Sequence, residues 1–322
     1  MKIFVTRKIP EKGLDILRKK HEVEVFLDDR IPTKKEIING VKNKDGLLCL
    51  LTDNIDIEVI NSSSKLKMIS NYAVGYNNID IKEATEKKIP VSNTPGVLTD
   101  ATAEMAWALL LSSARRIVEA DDYTRKGKFN GWSPTLMLGQ MVSGKTLGII
   151  GAGRIGTAVA LKSLGFNMKV LYMDRNKNEK LEKKLNAKKV GLEELMKRSD
   201  YITIHLPLTK KTKHLIGKKE LKLMKKSAVL VNTSRGGVID EKVLIKALEE
   251  KWFFSAGLDV YEDEPKIPER LKKLDNVILQ PHAGSATYET RSKMAEMAAK
   301  NMNIGLEGRR PPNCVNGEIF KE

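Results

Sequence analysis

Cysteine is almost absent from this 322-residue sequence, which contains only Cys49 and Cys314. Two cysteines are too few for a disulfide framework or a cysteine-based zinc site, and we expect no metal ion. Such scarcity is typical of proteins kept in a reducing compartment, so the cytoplasm is the expected location.

Long apolar runs are also missing. The most apolar helical stretch, residues 101–114, contains Glu104 and is shorter than the roughly 20 residues that a bilayer requires. The first residues lack the apolar segment of a signal peptide. We therefore expect neither a membrane span nor a secretion signal.

Aromatic residues make up only 5% of a chain whose formal net charge is +16. Few aromatic side chains mean few platforms on which nucleic-acid bases stack, and the lysines are spread along the whole chain. We interpret the charge as a solvated, lysine-rich surface that attracts small anionic ligands, and we expect no nucleic-acid partner.

Alternation of short apolar runs with amphipathic segments is the dominant pattern. Four strands are predicted early in the chain, in KIFVT, EVEVF, GLLCLL and KMISNYA, with helices near 14–20, 34–41, 57–63 and 81–88. Six more are predicted later, in TLGIIG, MKVLYMD, YITIHLP, AVLVNTS, FFSAGLDV and NVILQPH, with helices at 155–164, 192–197 and 241–250. This order predicts an α/β fold of two doubly wound parallel-sheet domains.

Three further segments complete the predicted organisation. Residues 100–120 are predicted to form one long helix, residues 126–141 an irregular arm, and residues 285–305 a final helix. Gly165 is expected to end the helix that begins at residue 155. Two domains joined by two long helices favour a ligand site in the cleft between them.

A glycine-rich segment follows the predicted strand TLGIIG. It reads Gly151-Ala152-Gly153-Arg154-Ile155-Gly156 and opens a predicted helix. In this order the G-x-G-x-x-G pattern indicates a pyrophosphate-binding loop: a tight turn, close backbone approach to phosphate, and close packing of helix on strand. Arg154 adds a cation where the helix N-terminus meets the phosphates. The alternative is an ordinary strand-to-helix turn.

An acidic residue ends the next predicted strand. Asp174 lies 23 residues after Gly151, close to the spacing of about 20 that is typical of a ribose-binding acid. A carboxylate there accepts hydrogen bonds from ribose hydroxyls and repels a 2′-phosphate, which favours NAD over NADP. Arg175 keeps NADP as the alternative, because a guanidinium can bind phosphate.

Histidine is scarce, and only four positions carry it: His21, His205, His214 and His282. His21 and His214 lie among charged residues and are interpreted as surface residues. His205 ends the strand YITIH, where it either lines a cofactor pocket or packs in the core. His282 ends the strand NVILQ before a turn of small residues, which leaves room for a ligand beside its imidazole.

Two other predicted strands end in polar groups, at residues 232–237 (NTSRGG) and 259–265 (DVYEDEP). An arginine, an acid and a histidine at the carboxyl ends of strands in one nucleotide-binding sheet form a candidate catalytic constellation. Taken singly, each could be an ordinary surface charge.

The motifs together carry a family resemblance. The segments NYAVGYNNID, TPGVLTDATAEMAWALLL, LGIIGAGRIGTAVA, NTSRGGVIDE, GLDVYEDEP and QPHAGSAT follow one another over almost the full length. Through these segments the chain resembles the D-isomer-specific 2-hydroxyacid dehydrogenase family. Within that family it resembles the glyoxylate and hydroxypyruvate reductases most. The resemblance implies a Rossmann cofactor domain over residues 100–285, inserted into a flavodoxin-like substrate domain made of residues 1–99 and 286–322. It also implies a homodimer with an interface around Trp132.

The resemblance further implies roles for individual residues. Arg235 binds the substrate carboxylate and carbonyl, His282 is the acid/base, and Glu264 pairs with His282. Substrate contacts are implied for Leu51, Val74, Gly75, Arg235 and His282. Cofactor contacts are implied for Thr102, Gly151, Gly153, Arg154, Ile155, Gly156, Asp174, His205, Pro207, Thr212, Thr233, Ser234, Arg235, Asp259, His282 and Gly284.

The expected reaction is the NADH-dependent reduction of glyoxylate or hydroxypyruvate to the D-2-hydroxy acid. One alternative is a D-3-phosphoglycerate dehydrogenase, but relatives that act on that substrate tend to carry an arginine where Asn71 and Tyr72 stand here, and many have a regulatory extension that we do not expect in this chain. A second alternative, from a different class, is an NAD-sensing corepressor. Such a protein is expected to have an added peptide-binding surface or disordered tails, and the sequence pattern shows neither.

Overall fold

The structure is a computed structural model that describes residues 1–320. The chain divides into two compact units. The first combines Met1–Leu98 with the residues from Ala286 onward, and the second is Thr99–Ser285.

Short strands and helices alternate along most of the described chain. The strands are β1 (Lys2–Val5), β2 (Glu22–Val25), β3 (Gly46–Cys49), β4 (Met68–Asn71), β5 (Val91–Ser92), β6 (Thr146–Ile150), β7 (Lys169–Met173), β8 (Lys188–Lys189), β9 (Tyr201–Ile204), β10 (Val229–Asn232), β11 (Ser255–Leu258) and β12 (Val277–Leu279). The helices are α1 (Glu11–Arg18), α2 (Lys34–Val41), α3 (Ile57–Asn61), α4 (Ile81–Glu86), α5 (Thr99–Ala114), α6 (Ile117–Arg125), α7 (Arg154–Lys162), α8 (Glu179–Leu185), α9 (Leu192–Arg198), α10 (Lys218–Lys222), α11 (Glu241–Glu249), α12 (Glu269–Lys272) and α13 (Tyr288–Leu306).

The first unit is built on a five-stranded parallel sheet in the order β2-β1-β3-β4-β5. This is the flavodoxin-like order. The central strands β3 and β4 are buried along their whole length, whereas β2 alternates exposed and half-buried residues because it is the edge. β5 has only two residues, which is too short to produce a sequence pattern.

The C-terminal helix α13 packs on the sheet of the first unit. The Ser70 hydroxyl of β4 donates a hydrogen bond to the Ala298 carbonyl at 2.9 Å. On its other side α13 approaches α1 so closely that a Cβ on Gly13 would lie 2.7 Å from the Cβ of Ala295. Its buried residues include Met294, Ala298 and Met302, so the predicted apolar face is the one that packs inward.

The second unit contains a seven-stranded parallel sheet in the order β12-β11-β10-β9-β6-β7-β8. Chain order runs in one direction from β6 to β8 and in the other from β9 to β12, which is the Rossmann arrangement with its switch point between β6 and β9. The two parallel sheets confirm the predicted α/β fold class. The edge strand β8 consists of two exposed lysines, so it carries no apolar signal and is absent from the six predicted strands.

The predicted helix over 100–120 is wrong, because the segment forms two helices. α5 ends at Ala114 and α6 begins at Ile117, with Arg116 between them in the left-handed region at φ 55°. The Ala114 carbonyl accepts a hydrogen bond from Gln140 N–H at 2.7 Å. A residue of the irregular arm thus occupies an acceptor that a continued helix would use, and helix α5 stops there.

The predicted end of α7 at Gly165 is also wrong. The helix continues as a 3₁₀ turn over Ser163–Phe166, and Asn167 ends it in the left-handed conformation at φ 51°. Asparagine tolerates this conformation better than most residues. Residues 126–141 contain no helix or strand, as predicted.

Among residues 1–320, no helix is both long and apolar enough to cross a bilayer. Within the same residues, no three His, Cys, Asp or Glu side chains are grouped so that they could hold a metal ion.

Candidate active site

The glycine-rich loop connects β6 to α7 at the switch point of the seven-stranded sheet. Gly151 has a φ of +94°, and a Cβ there would lie 2.9 Å from the His205 carbonyl group. A Cβ on Gly156 would lie 2.0 Å from the Gly151 carbonyl oxygen. These two glycines are therefore required by the fold, the first for the turn and the third for the close packing of helix on strand.

Gly153 differs from the other two glycines of the loop. A Cβ at this position would meet no protein atom within 4 Å. The residue caps α7, so the helix N-terminus with Arg154 and Ile155 begins directly behind it. A glycine that protein packing does not demand, placed at a helix N-terminus, fits the close approach of a pyrophosphate.

Asp174 follows β7 and lies beside the glycine loop. Its Oδ2 accepts a hydrogen bond from Ala152 N–H at 2.8 Å, and its Oδ1 accepts one from Asn176 N–H at 3.2 Å. The Asn178 amide, to which no sequence motif assigns a role, donates to the Ala152 carbonyl at 2.8 Å. The carboxylate is thus held against the glycine loop, while Arg175 next to it is exposed.

His205 is enclosed at the end of β9. Its Nε2 is 2.9 Å from the Thr203 hydroxyl, and its buried Nδ1 has no hydrogen-bond partner within residues 1–320. Burial lowers the pKa of His205 to about 3, so the ring is neutral at physiological pH and is no proton donor there. In the loop that follows, the Thr212 hydroxyl donates to the Pro207 carbonyl at 2.6 Å.

The turn after β10 is organised by Asn232, another residue without a role in the sequence motifs. Its Oδ1 accepts hydrogen bonds from the Ser234 N–H at 3.0 Å and from the Ser234 hydroxyl at 2.8 Å. Its amide donates to the Arg235 carbonyl at 3.0 Å. The buried Thr233 hydroxyl has no hydrogen-bond partner in the described part of the chain, which makes it an available donor or acceptor for a bound group.

Glu264 and His282 form a pair at the carboxyl edge of the same sheet. The Glu264 Oε2 is 2.8 Å from the His282 Nδ1, and the Glu264 Oε1 accepts a hydrogen bond from Tyr261 N–H at 3.0 Å. Burial opposes ionisation of Glu264, but the hydrogen bond and charge of His282, the Tyr261 N–H and the charge of Arg235 together hold its pKa below the usual value. The pair leaves Nε2 as the imidazole nitrogen that can exchange a proton with a ligand.

Arg235 lies within range of the charge of the same carboxylate. Burial lowers the pKa of Arg235, and the negative charge of Glu264 acts in the opposite direction. A guanidinium remains charged in any protein environment, so the site combines a fixed cation with an imidazole.

The backbone of His282 is held in an unusual conformation. Its φ is 55°, a left-handed value that is unfavourable for a residue with a side chain. The following two N–H groups, of Ala283 and Gly284, donate to the Asp259 carboxylate at 2.6 and 2.8 Å. Desolvation raises the pKa of Asp259 in spite of these bonds. Asp259 therefore fixes the turn that aims the imidazole.

The same turn lies against Thr102 of helix α5. A Cβ on Gly284 would lie 2.8 Å from the Asp259 Oδ2 and 3.5 Å from the Thr102 Cγ2. Only glycine fits between them. The implied cofactor residues Thr102, Asp259 and Gly284 are thus neighbours in the second unit.

The implied substrate residues Leu51, Val74 and Gly75 belong to the first unit, where they lie in the loops after β3 and β4. The Asn78 amide ties these two loops together, because it donates to the carbonyls of Leu50 and Asp53 at 3.0 Å each. No feature of the sequence assigned a role to Asn78.

The doubly wound sheet, the glycine loop at its switch point and the Arg235, Glu264 and His282 group define a dinucleotide-binding oxidoreductase. Residues 107–284 match the family model described as D-isomer specific 2-hydroxyacid dehydrogenase, NAD binding domain.

Similar proteins are known over the full length. The glyoxylate reductase of Korarchaeum cryptofilum (strain OPF8) is 52% identical over 99% of this chain and 97% of that protein. The glyoxylate reductase of Thermococcus litoralis is 51% identical over 99% of this chain and 98% of its own length. Among solved structures, the TT0316 protein from Thermus thermophilus superimposes with a TM-score of 0.92 at 44% identity, covering 98% of this chain and 100% of that one.

The chain belongs to the D-isomer specific 2-hydroxyacid dehydrogenase family. It is an enzyme of that family, an oxidoreductase that interconverts a 2-hydroxy acid and a 2-oxo acid, and it is similar to glyoxylate reductases. The predicted family membership and the predicted enzyme class are thereby confirmed.

Proposed function

We propose that this enzyme reduces glyoxylate to glycolate, or hydroxypyruvate to D-glycerate, with NADH. The observation that carries the proposal is the Glu264 carboxylate, which is 2.8 Å from His282 and whose charge also acts on Arg235. The pair supplies the proton donor that this reduction requires, and Arg235 supplies an anion-binding cation near it.

Arg235 binds the substrate in this proposal. Its planar fork of N–H donors suits a carboxylate and a neighbouring 2-oxo group, and burial strengthens such charged hydrogen bonds. In the first unit, the backbone of Val74 and Gly75 receives the carboxylate, and Leu51 contacts the remaining part of the substrate.

His282 is the proton donor. Reduction of the 2-oxo group places negative charge on its oxygen, and the imidazolium transfers a proton from Nε2 to that oxygen. Glu264 stabilises the charged imidazolium and keeps Nδ1 occupied. In the direction of oxidation, the neutral imidazole takes the proton back from the hydroxyl group.

The residues of the second unit fit a dinucleotide. Gly153 and the N-terminus of α7 bind its pyrophosphate, Asp174 accepts hydrogen bonds from ribose hydroxyls, and the Thr233 hydroxyl is available to the nicotinamide end. When bound, the nicotinamide supplies or receives the hydride. Asp174 favours NAD, because its carboxylate would repel the 2′-phosphate of NADP.

The enzyme acts as a homodimer in this proposal. The irregular arm, residues 126–141, exposes large apolar side chains, among them Phe129, Trp132 and Leu138. Trp132 is 84% exposed. Exposed aromatic side chains of this size are typical of surfaces that a partner covers.

The test is an assay of NADH oxidation with glyoxylate, hydroxypyruvate, pyruvate and 3-phosphohydroxypyruvate. We expect turnover with the first two, and the His282→Ala variant should lose roughly 10²- to 10⁴-fold in kcat while it still binds NADH. NADH oxidation with none of the four would overturn the proposal and favour a binding protein.

His214 provides the matched control. It also pairs with a glutamate, at 2.6 Å from Glu262, but the pair lies on the surface. His214→Ala should therefore keep the wild-type kcat. An equal loss in both histidine variants would show that the effect of His282→Ala is not catalytic.

A further inference from the structure

The loop after β4 carries two carbonyl groups that are held by buried side chains. The Val74 carbonyl accepts a hydrogen bond from the Asn93 amide at 2.7 Å, and the Gly75 carbonyl accepts one from the Asn71 amide at 2.9 Å. Asn71 is 0% exposed and Asn93 is 8% exposed. Both carbonyls therefore point toward the interior of the first unit.

Peptide planarity fixes the direction of the N–H groups that follow these two carbonyls. The peptide bonds of this loop are trans, and in a trans peptide the C=O and the following N–H point in opposite directions. With the carbonyls of Val74 and Gly75 directed inward, the N–H groups of Gly75 and Tyr76 are directed outward. Two successive outward N–H groups form a concave site for an anion.

The two asparagines are themselves rigidly placed. Asn71 is the last residue of β4 and Asn93 directly follows β5. The Asn71 Oδ1 faces the Cys49 Sγ at 3.6 Å, and its amide also donates to the Asn78 Oδ1 at 3.1 Å. Burial raises the pKa of the Cys49 thiol, so the sulfur keeps its proton and acts as the donor. These contacts orient the Asn71 amide with its NH₂ group toward the loop.

Asn93 is anchored through its backbone. Its N–H donates to the Asn313 carbonyl at 3.2 Å, and its carbonyl accepts a hydrogen bond from the Asn301 amide at 3.1 Å. The side chain thus reaches Val74 from a backbone that the C-terminal part of the first unit holds in place.

We propose that Asn71 and Asn93 are positioning residues that set the affinity for the substrate carboxylate, by holding the N–H groups of Gly75 and Tyr76 outward. This inference rests on the proposed function, in which the loop receives the carboxylate at Val74 and Gly75, and it adds the Tyr76 N–H to that site. The amides do not touch the substrate, and they act through the two peptide groups that they orient.

The first test is Asn71→Asp, which keeps the shape of the side chain and replaces its NH₂ donor with an oxygen that repels the Gly75 carbonyl. We expect the KM for glyoxylate and the Kd for oxamate, a 2-oxo acid analogue, to rise roughly tenfold or more. The kcat should change less than KM, and the Kd for NADH should stay at the wild-type value. Asn39→Asp, the same change on the surface helix α2, is the matched control and should leave all four constants unchanged.

A pH series separates positioning from a general loss of structure. When the introduced carboxyl of Asn71→Asp is protonated, it regains an O–H donor for the Gly75 carbonyl. The ratio of its KM to the wild-type KM should therefore fall as the pH is lowered from 8 toward about 5.5. Asn71→Ala has no donor to regain, so the ratio of its KM to the wild-type KM should not change with pH.

Asn93→Asp is the second, independent variant, because its side chain comes from another strand end and holds the other carbonyl. Thermal unfolding of each variant shows whether it is folded, and a folded Asn93→Asp alone suffices for the test. Wild-type values of KM and of the oxamate Kd in the folded variants would overturn the inference. If the wild-type protein oxidises NADH with none of the 2-oxo acids tested, the proposed function is overturned instead.

Discussion

Gly153 and Gly156 belong to one motif, but glycine stands at the two positions for different physical reasons. Gly156 is required by the protein itself, since a Cβ there would collide with the Gly151 carbonyl oxygen at 2.0 Å. Gly153 faces no protein atom within 4 Å, and its φ of −71° is accessible to alanine. At the residue scale, fold and ligand thus place separate demands on two positions three residues apart.

This difference predicts different outcomes for two alanine variants. Gly156→Ala should lower the free energy of unfolding by about 1–3 kcal/mol, because the helix must move away from the strand. Gly153→Ala should leave the free energy of unfolding unchanged and weaken NADH binding, because the new methyl group occupies the approach of the pyrophosphate. Chemical denaturation and fluorescence titration with NADH measure the two effects. Unchanged NADH affinity in Gly153→Ala would contradict the assignment of this loop.

At the scale of single elements, some helix ends can be predicted from the local sequence and others cannot. The α2 helix matches the predicted bounds 34–41, and the structure shows that its start is fixed locally, by a capping box of Thr33 and Glu36. The end of α5 is different, since it is set by the hydrogen bond from Gln140 to Ala114. No pattern within residues 100–120 contains that information.

The end of α7 yields a testable contrast between two residues. Asn167 adopts the left-handed conformation, so Asn167→Ala should lower the free energy of unfolding by on the order of 1 kcal/mol. Gly165 lies in the 3₁₀ turn, where an added Cβ would have no neighbouring atom within 4 Å, so Gly165→Ala should be neutral or slightly stabilising. Chemical denaturation of both variants distinguishes this structure from the sequence prediction, in which Gly165 would be the sensitive residue.

At the scale of the whole molecule, the proposed homodimer gives the arm of residues 126–141 its role. We expect Trp132→Asp to convert the dimer to monomer, because a charge in an apolar interface is strongly unfavourable. Leu27→Asp is the control, since Leu27 is 85% exposed in the first unit. Light scattering coupled to size-exclusion chromatography measures the mass. A wild-type monomer, or a dimer that survives Trp132→Asp, would contradict the proposed interface.

The candidate site shows a similar division between local and distant information. Gly151, Asp174, Arg235, Glu264 and His282 are recognisable from sequence, because each belongs to a motif at the end of a predicted strand. Other site residues received no role from the sequence; these are Asn71, Asn78, Asn93 and Asn232. Asn78 and Asn93 donate to backbone carbonyls of another loop, and those contacts exist only after the strands have been placed side by side.

The amino-acid sequence by itself determined the α/β class, the glycine-rich loop and the family of this enzyme. The reason is that alternating apolar runs, glycine spacing and strand-end motifs are short-range properties. The tertiary structure alone decided the two-lysine strand β8, the break between α5 and α6, and the inward carbonyl of Val74. Each of these depends on hydrogen bonds between residues far apart in the chain, which form only when the folded sheet brings them together.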